Sequence, residues 1–307
     1  MDQKNDIYSI VTQQVLEGLE KGHIPWVRPW VVPPPCNIKT KKRYRGVNFL
    51  LLSLYQHRFA YSSHFWLTFL QCKQLGGYVK RGESGFPVVF FNIRENKVNI
   101  DDVRDEGILK RWNEEEKAQG FKIYARSFLK RYTVFNIEQT DIDQSSIPEV
   151  GNLKPDPVKE AEGIIKSYRG MPSVKKSVSR ACYYPGKDLI AMPPVANFDS
   201  MVSYYVVLFH EMIHSTGHEK RLNRDGINGL KPHVFGSPEY SYEELVAEIG
   251  ASMLYSLAGI SEGVRKNSKA YINGWLKVLK DDKNMIISAA SQAQKAVDFI
   301  LGQGVEE

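Results

Sequence analysis

Apolar side chains recur at helical spacing in several separate parts of this 307-residue chain. In the N-terminal half the spacing predicts helices over residues 5–21, 47–59 and 66–75. In the C-terminal half it predicts helices over residues 158–168, 200–216, 241–258, 262–280 and 284–301. Glycines follow two of these segments, at Gly22 and at Gly76, and are expected to end them.

Short apolar runs between the predicted helices indicate strands. Residues 86–92 and 121–134 predict one pair, and the residues between them, 94–120, mix charges of both signs and predict an exposed insertion. A second pair, 179–184 and 188–192, surrounds Pro185-Gly186-Lys187 and predicts a hairpin. Helices and strands are therefore mixed along the chain, which predicts an α+β fold.

A polar, proline-bearing segment at residues 138–157 interrupts the apolar pattern and predicts a linker. It divides the chain into two expected domains, residues 1–140 and residues 152–307, each with its own core. The first is expected to be a mixed α/β domain, and the second a small sheet with a helix that carries an active site.

Composition restricts the class of protein. Apolar residues make up 42% and charged residues 25%, and no run of eighteen apolar residues that could cross a membrane is present. The N-terminal pattern is amphipathic and unlike a signal peptide. The cysteines Cys36, Cys72 and Cys182 are scattered and odd in number, which favours reduced thiols in a cytoplasmic protein.

The net charge of +6 is unevenly distributed. From Lys21 to Gly82 there is no acidic residue, whereas the same stretch holds eleven lysines and arginines with aromatic residues among them. Cations neutralise phosphates and aromatic rings stack on unpaired bases, so the stretch predicts a groove for single-stranded nucleic acid. The predicted contacts are Trp26, Arg28, Trp30, Lys39, Lys41, Lys42, Arg43, Tyr44, Arg45, Lys80 and Arg81.

A structural interpretation of the same stretch stays open. The tryptophans can belong to the core and the lysines to a solvated rim. For Trp66, which lies in an apolar segment, we expect a core position. For the polar segment from Lys39 to Arg45 we expect phosphate contacts, because no helix is predicted there for the cations to decorate.

The clearest chemical signal is the H-E-x-x-H sequence from His210 to His214, at the end of an apolar run. Residues four apart lie on one face of a helix, so His210 and His214 can bind one metal ion. Glu211 is placed to take a proton from water that the metal polarises. The pattern predicts a zinc hydrolase site, although two histidines can also occupy an ordinary amphipathic helix.

A second acidic pattern supplies candidates for the remaining metal ligand. Glu244 and Glu248 are four apart on the predicted helix 241–258, where an unpaired carboxylate on a buried face would be costly. One can bind the metal while the other bonds to a ligand histidine. The order of the two motifs resembles zincins with a glutamate ligand, which implies Glu244 as ligand and Glu248 as support; the reverse stays open. Glu243 lies about 100° around the helix from Glu244 and is expected to be solvated.

His218 does not extend the motif in the metzincin manner, because that pattern requires a histidine at the position of Lys220. Gly217 is expected to end the helix in a left-handed conformation. His218 is then expected to cap the helix or to support a metal ligand.

Together these segments resemble the ArdC-type antirestriction proteins of plasmids and other mobile elements. The resemblance implies an N-terminal domain that binds single-stranded DNA, a C-terminal zincin-like metallopeptidase domain, and protection of transferred DNA from restriction. It leaves the peptide or protein substrate and the oligomeric state unspecified. It rests on Ile24–Trp30, Tyr44–Asn48, Trp66–Gln71, Gly76–Gly82, Val134–Gln139, His210–His218 and Tyr242–Glu248.

Three functions are compatible with these patterns. The chain can be a DNA-binding antirestriction protein with a working zinc peptidase, a DNA-binding protein with a structural or inactive zinc site, or a cytoplasmic metallopeptidase whose basic half binds acidic partners. Glu211 favours the first over the second, since a structural site needs no carboxylate to activate water. The acid-free stretch argues against the third.

Overall fold

The structure is a computed structural model that describes residues 7–21, 24, 33–103, 110, 112–143, 156–178, 180–225, 227, 238–260 and 269–303. Helices and strands are mixed throughout these ranges, so the predicted α+β class is confirmed. The chain forms two compact units, one of Met1–Phe86 with Thr133–Glu307 and one of Pro87–Tyr132. Within the described ranges, no helix is both long enough and apolar enough to cross a bilayer.

Two helices that pack against each other begin the first unit. Helix α1 (Ile7–Glu20) packs against α2 (Gly46–Arg58), and every α2 residue from Val47 to Gln56 is buried. A helix that is apolar on all sides is expected to lie inside the protein, and α2 does so. Both helices match their predicted positions closely.

The third predicted helix is wrong at its start. Phe65–Leu67 form strand β2, and helix α3 covers only Phe69–Gln74. Thr68 separates them by capping α3, because its hydroxyl accepts from the backbone N–H of Gln71 while the Gln71 side chain bonds back. All three β2 residues are buried, so their periodicity could not distinguish a strand from a helix. Trp66, with 0% exposure, is in the core as predicted.

Strand β2 lies inside a mixed sheet. It pairs in parallel with β1 (Cys36–Asn37) and antiparallel with the end of β4 (Phe121–Asn136). In this register Trp66 faces Asn136 and Leu67 faces Phe135. Beneath the sheet Cys36, Ile38, Phe65, Leu67, Cys72 and Ile137 form one buried cluster.

The second unit is a two-stranded ribbon with a helical connection. Strand β3 (Phe86–Asn99) is the neighbour of β4 in the sheet order, and α4 (Glu114–Gln119) lies between the two strands in sequence. Strand β3 runs seven residues past its predicted end at Asn92, so the predicted exposed insertion begins as strand. Asn113 and Glu116 form a capping box that starts α4, and Gly120 ends it with a φ of 74°.

A small sheet precedes the helix that carries the H-E-x-x-H motif. After α5 (Pro157–Ser167) come β5 (Ser173–Lys176), β6 (Cys182–Tyr184) and β7 (Leu189–Met192), arranged in the order β5-β7-β6. β6 and β7 are antiparallel, which confirms the predicted hairpin and leaves β6 at the sheet edge.

The remaining helices are α6 (Met201–Thr216), α7 (Pro238–Ala258), α8 (Lys269–Asp281) and α9 (Met285–Ile300). The Ser200 hydroxyl caps α6 by accepting from the backbone N–H of Ser203. Gly250 lets α7 approach α6 closely, because a Cβ at that position would lie 2.8 Å from Ile213. This contact places the acidic side chains of α7 beside the histidines of α6.

Helix α9 joins the N-terminal and C-terminal segments of the first unit. It packs against both α2 and α7. Arg45 donates from Nη2 to the buried carboxylate of Asp298 at 2.5 Å, and Gln294 accepts from the backbone N–H of Gly46 at 2.9 Å. Compact packing therefore extends across the predicted boundary between residues 1–140 and 152–307, and independent folding of the two parts stays a prediction. The predicted linker lies mostly outside the described residues.

Candidate metal centre

His210 and His214 lie one turn apart on α6, with 2% and 8% exposure, and their Nε2 atoms are 3.0 Å apart. The Nε2 atoms of the two imidazoles therefore point toward the same position. The apolar face of α6 is buried around them, which fixes the two rings on the same side of the helix as the spacing predicted.

Glu244 on α7 completes a set of three donors. Its carboxylate oxygens lie 3.5 Å from His210 Nε2 and 3.4 Å from His214 Nε2. Donors bound about 2.0–2.1 Å from a tetrahedral ion are roughly 3.3 Å from one another, so the three residues fit one metal ion. Glu248 lies behind them, with an oxygen 3.5 Å from His210 Nδ1. These positions favour Glu244 over Glu248 as the third ligand.

Glu243, expected to be solvated, is only 4% exposed and belongs to the site. Its Oε1 lies 3.1 Å from Nδ1 of His214 and its other oxygen accepts from Arg224. The prediction is wrong because residues that follow α6 cover the face of α7 that would otherwise meet water. The sequence shows Glu243 as an acidic residue beside Glu244, but its position on the helix did not predict that it would be buried in the site.

Arg224 is buried and fully engaged. It donates to both oxygens of Glu243, at 2.6 and 3.0 Å, to the carbonyl of Ile213 at 2.9 Å and to the hydroxyl of Thr216 at 2.6 Å. The guanidinium thus ties the end of α6 to Glu243, and through Glu243 it orients the ring of His214. No spacing in the sequence identified this residue.

The charges around the donors favour a dication. Glu211, Glu243, Glu244 and Glu248 contribute four carboxylates, and Arg224 contributes one buried cation. Burial would lower the pKa of His214, but hydrogen bonds that the protonated ring donates to Glu243 and Glu244 raise it to about 10. Without a metal, protons bound to these side chains must therefore supply part of the positive charge that balances the carboxylates. A divalent ion would supply that charge instead, so the residues fit such an ion well.

Metal affinity is expected to rise with pH. Because His214 holds a proton below about pH 10, a metal must displace that proton, and the apparent affinity should increase about tenfold per pH unit between about pH 6 and pH 9. Competition with a chelator of known affinity, repeated across this range, measures the slope. An affinity independent of pH would contradict the predicted proton release.

Glu211 faces the edge of the small sheet. Its Oε2 accepts a hydrogen bond from the backbone N–H of Tyr183 on β6 at 2.8 Å, and its side chain is largely buried. The carboxylate that the motif predicts as a base is therefore held between α6 and the edge strand. Burial, together with Glu211 and Glu244, raises the pKa of the neighbouring Cys182 thiol.

A second arginine holds that strand in place. Arg221 donates to the carboxylate of Asp188, to the hydroxyl of Tyr183 and to the carbonyl of Ser215 on α6. The Tyr183 hydroxyl also donates to Asp188 at 2.9 Å. These bonds connect the end of α6 with the β6–β7 hairpin, and sequence patterns did not reveal them.

The turn after α6 differs from its prediction. Gly217 has a φ of −74° and is not left-handed. A side chain is excluded there because a Cβ would lie 1.9 Å from Ile227. His218 is buried in this turn, where its backbone N–H donates to Ser215 and its Nδ1 accepts from the N–H of Lys220 at 3.2 Å. These contacts favour the capping role that was expected as one possibility.

The residues predicted to contact DNA differ in their exposure and in their bonding partners. Exposed cations are found at Lys39, Lys41, Lys42, Arg43, Lys80 and Arg81. Tyr44 is 8% exposed and bonded to Asn37, so its ring has no free face for a base. Arg45 is paired with Asp298, which reduces its availability to phosphate. Trp26, Arg28 and Trp30 lie outside the described residues.

The loop from Lys39 to Arg43 carries four exposed cations. Burial, with Arg43 and Lys41 nearby, lowers the pKa of His64 to about 4. Among the described residues, no carboxylate forms an ion pair with Lys41, Lys42 or Arg43. An anion bound here would relieve uncompensated positive charge.

Two family models match the chain in succession. The N-terminal domain of anti-restriction factor ArdC matches residues 5–135, and a zincin-like metallopeptidase domain matches residues 159–292. Among solved structures, the ArdC antirestriction protein of plasmid R388 in its metal-free form is 34% identical with a TM-score of 0.72, covering 96% of each chain. Its Mn(II)-bound form is 33% identical with a TM-score of 0.71, covering 98% of this chain and 99% of that one.

Curated relatives extend the comparison. The uncharacterized protein y4eC of Sinorhizobium fredii is 33% identical over 307 residues, which is 97% of this chain and 92% of the relative. The DNA primase TraC of Escherichia coli is 32% identical over 309 residues. That match covers 98% of this chain but 20% of the primase, so most of the primase has no counterpart here.

Proposed function

Because the chain belongs to the ArdC family of antirestriction proteins, with a zincin-like domain and a site suited to a divalent metal, we propose that it binds single-stranded DNA and protects the transferred DNA of a mobile element. The observation that carries the proposal is the exposed, unpaired set of cations at Lys41, Lys42 and Arg43, which lies in the part of the chain matched by the ArdC N-terminal model.

Binding of DNA phosphates follows from the chemistry of this loop. Cations that already had carboxylate partners would gain little from phosphate, whereas these three gain a counter-charge. Lys41 also lies 4.9 Å from the centre of the Phe65 ring, and Lys80 and Arg81 add further exposed positive charge. DNA held here would be bound through its backbone, with little dependence on sequence.

Zinc is the metal we propose for His210, His214 and Glu244. Two imidazoles and one carboxylate are a common donor set of catalytic zinc sites, which leave one position open. Such an ion polarises a carbonyl and lowers the pKa of a water molecule that it binds. The residues of this chain hold the site in shape: Glu243 is hydrogen-bonded to His214, Arg224 holds Glu243, and Glu248 lies 3.5 Å from Nδ1 of His210.

Glu211 is the proposed general base of a peptidase reaction. It would accept a proton from the attacking water and later deliver it to the leaving amine. Strand β6 lies at the edge of its sheet, where an extended peptide would pair in place of the bond between the Tyr183 N–H and Glu211 and would thereby be brought to the metal site.

A structural metal site is the second candidate. It is favoured by the 4% exposure of Glu211 and by the hydrogen bond that its carboxylate accepts from Tyr183. The variant Glu211→Gln separates the candidates. It should retain the metal in both cases, and it should abolish cleavage of unfolded protein substrates only if the site is a working peptidase.

The test of DNA binding compares single strands with duplexes of the same sequence by fluorescence anisotropy over a range of salt concentrations. We expect the full chain to prefer single strands. Replacing Lys41, Lys42 and Arg43 together by Gln should weaken binding and reduce the salt slope by about 2, since each phosphate contact to a single strand contributes roughly 0.7.

A charge-matched control protects this test from a general effect of net charge. Lys175, Lys176 and Lys187 are exposed in the C-terminal part, and their replacement by Gln removes the same charge. We expect little change in affinity. Equal losses in the two triple variants, or equal affinity of the parent for duplex and single strands, would contradict the proposed site.

A further inference from the structure

A regular alternation of cations and aromatic rings occupies strand β4 in the second compact unit. Alternate residues of a strand share one face of the sheet. From Phe121 to Ile137 the sequence has no acidic residue. Along this strand every second position carries in turn a cation and a ring, at Lys122, Tyr124, Arg126, Phe128, Lys130 and Tyr132.

The described rings of the ribbon are open to solvent. Tyr124 is 39% exposed and Tyr132 is 37% exposed. On the neighbouring strand β3, Phe90 is 45% exposed and meets the Tyr132 ring edge-on, with centroids 5.5 Å apart. Isolated exposed apolar side chains are usual on proteins, but Phe90 and Tyr132 form an exposed pair of rings, and Tyr124 adds a third exposed ring farther along β4.

Both tyrosines are positioned before any ligand arrives. The indole N–H of the buried Trp112 donates to the Tyr124 hydroxyl at 3.0 Å, which fixes a ring that is 39% exposed, and the Lys122 ammonium lies 5.7 Å from the centre of that ring. Lys130 has its ammonium 5.1 Å from the centre of the Tyr132 ring. A ring that is already held loses little conformational entropy on binding.

The positive charge of this surface is partly free. Lys122 is paired with Glu116 at 2.8 Å, so its charge is largely compensated. Lys130 is exposed, and no carboxylate among the described residues forms an ion pair with it. The surface therefore offers open rings with an adjacent unpaired cation, which suits a ligand with flat apolar faces joined by anionic groups.

We propose that Phe90, Tyr124, Lys130 and Tyr132 form a ring platform that binds single-stranded DNA, as a second contact besides the loop at Lys41–Arg43. Stacking requires unpaired bases, whose faces a duplex hides, and Lys130 supplies the phosphate contact. Tyr124 and Tyr132 are eight residues apart, about 27 Å at ~3.4 Å per residue. A DNA strand that contacts both rings must therefore span this distance with several nucleotides. The platform rests on the proposed DNA-binding function and extends its footprint.

The test uses the full chain with Tyr124→Leu and Tyr132→Leu combined. Each base that loses its stacking ring should weaken binding about 5- to 150-fold, and duplex affinity should not change. Tyr132→Phe keeps the ring and should bind as the parent does. Lys130→Gln should reduce the salt slope by about 0.7, whereas Lys117→Gln, which removes a cation paired with Glu114, should leave it unchanged.

Photocrosslinking to an oligonucleotide that carries iododeoxyuridine locates the contact directly. We expect crosslinked peptides that contain Tyr124 or Tyr132. If the parent binds single strands while the double variant binds equally well and crosslinks fall only near Lys41–Arg43, the platform is wrong and the proposed function stands. If duplex affinity falls as much as single-strand affinity, stacking is wrong. If the parent binds no single-stranded DNA, both proposals fall together.

Discussion

His214→Ala is expected to abolish stoichiometric binding of a divalent metal. The substitution removes one of three donors whose mutual distances are 3.0, 3.4 and 3.5 Å, and it leaves Glu243 and Glu244 without the histidine between them. Two remaining donors cannot enclose an ion against competition from water. Elemental analysis of the purified protein, with isothermal titration using Zn²⁺ and Mn²⁺, measures the loss. Retention of full metal occupancy would overturn the ligand set.

Two glutamate variants distinguish the ligand from its support. Glu244→Gln should lose metal almost as completely as His214→Ala, because it removes an oxygen that lies near both histidines. Glu248→Gln should lower affinity about 10- to 100-fold, the usual cost of losing an outer partner of a ligand. If the order of the two effects is reversed, Glu248 is the third ligand. Glu211→Gln is the matched control and should bind metal as the parent does.

The sequence predicted the donor set of the candidate metal site where local spacing determines geometry. His210, Glu211 and His214 share one turn of helix, and Glu244 and Glu248 share another, so the helical period alone places them on common faces. The meeting of the two faces needed a second cause, the close approach of α6 and α7 at Gly250. Buried carboxylates on an apolar helix require partners, which made Glu244 and Glu248 candidates from the sequence alone.

Helical spacing could not predict the contacts that turns make with the helices. Glu243 was expected in water because helical spacing says nothing of the chain that returns over that face, and Arg224 lies in the turn that does so. Trp66 was assigned to a helix because a fully buried strand lacks alternation. Gly217 was expected to be left-handed, whereas close packing of Ile227 is what requires glycine there. In each case a tertiary neighbour decided the outcome.

The two predicted domains illustrate the same limit at a larger scale. Residues 5–135 and 159–292 match separate family models, and the composition break near 138–157 lies between the two matches. Yet Arg45 pairs with Asp298 on α9, and α9 packs against the α7 helix that carries Glu244. A cation that sequence analysis assigned to phosphate therefore also connects the segment near the basic loop with the helices of the metal site.

The buried pair of Arg224 and Glu243 should carry the largest share of stability of any single contact in the site. Arg224→Met removes four hydrogen bonds and leaves Glu243 as a buried carboxylate without its cation. Breaking one partner of such a pair costs about 3–5 kcal/mol. The pKa of Glu243, which burial would raise but Arg224 holds below its usual range, should then increase. Urea denaturation of the metal-free protein measures the change.

A surface ion pair in the same compact unit provides the control. Lys280 and Glu20 are paired at 2.8 Å with side chains about half exposed, so Lys280→Met should cost less than about 1 kcal/mol. Replacing both Arg224 and Glu243 by apolar residues should recover part of the loss, because no uncompensated charge stays buried. If Arg224→Met does not fold, Arg224→Lys tests the same contact, since an ammonium group cannot reproduce the bidentate hydrogen bonds that the guanidinium donates to the two oxygens of Glu243. Equal urea midpoints for Arg224→Met and the parent would show that the pair does not hold this site together.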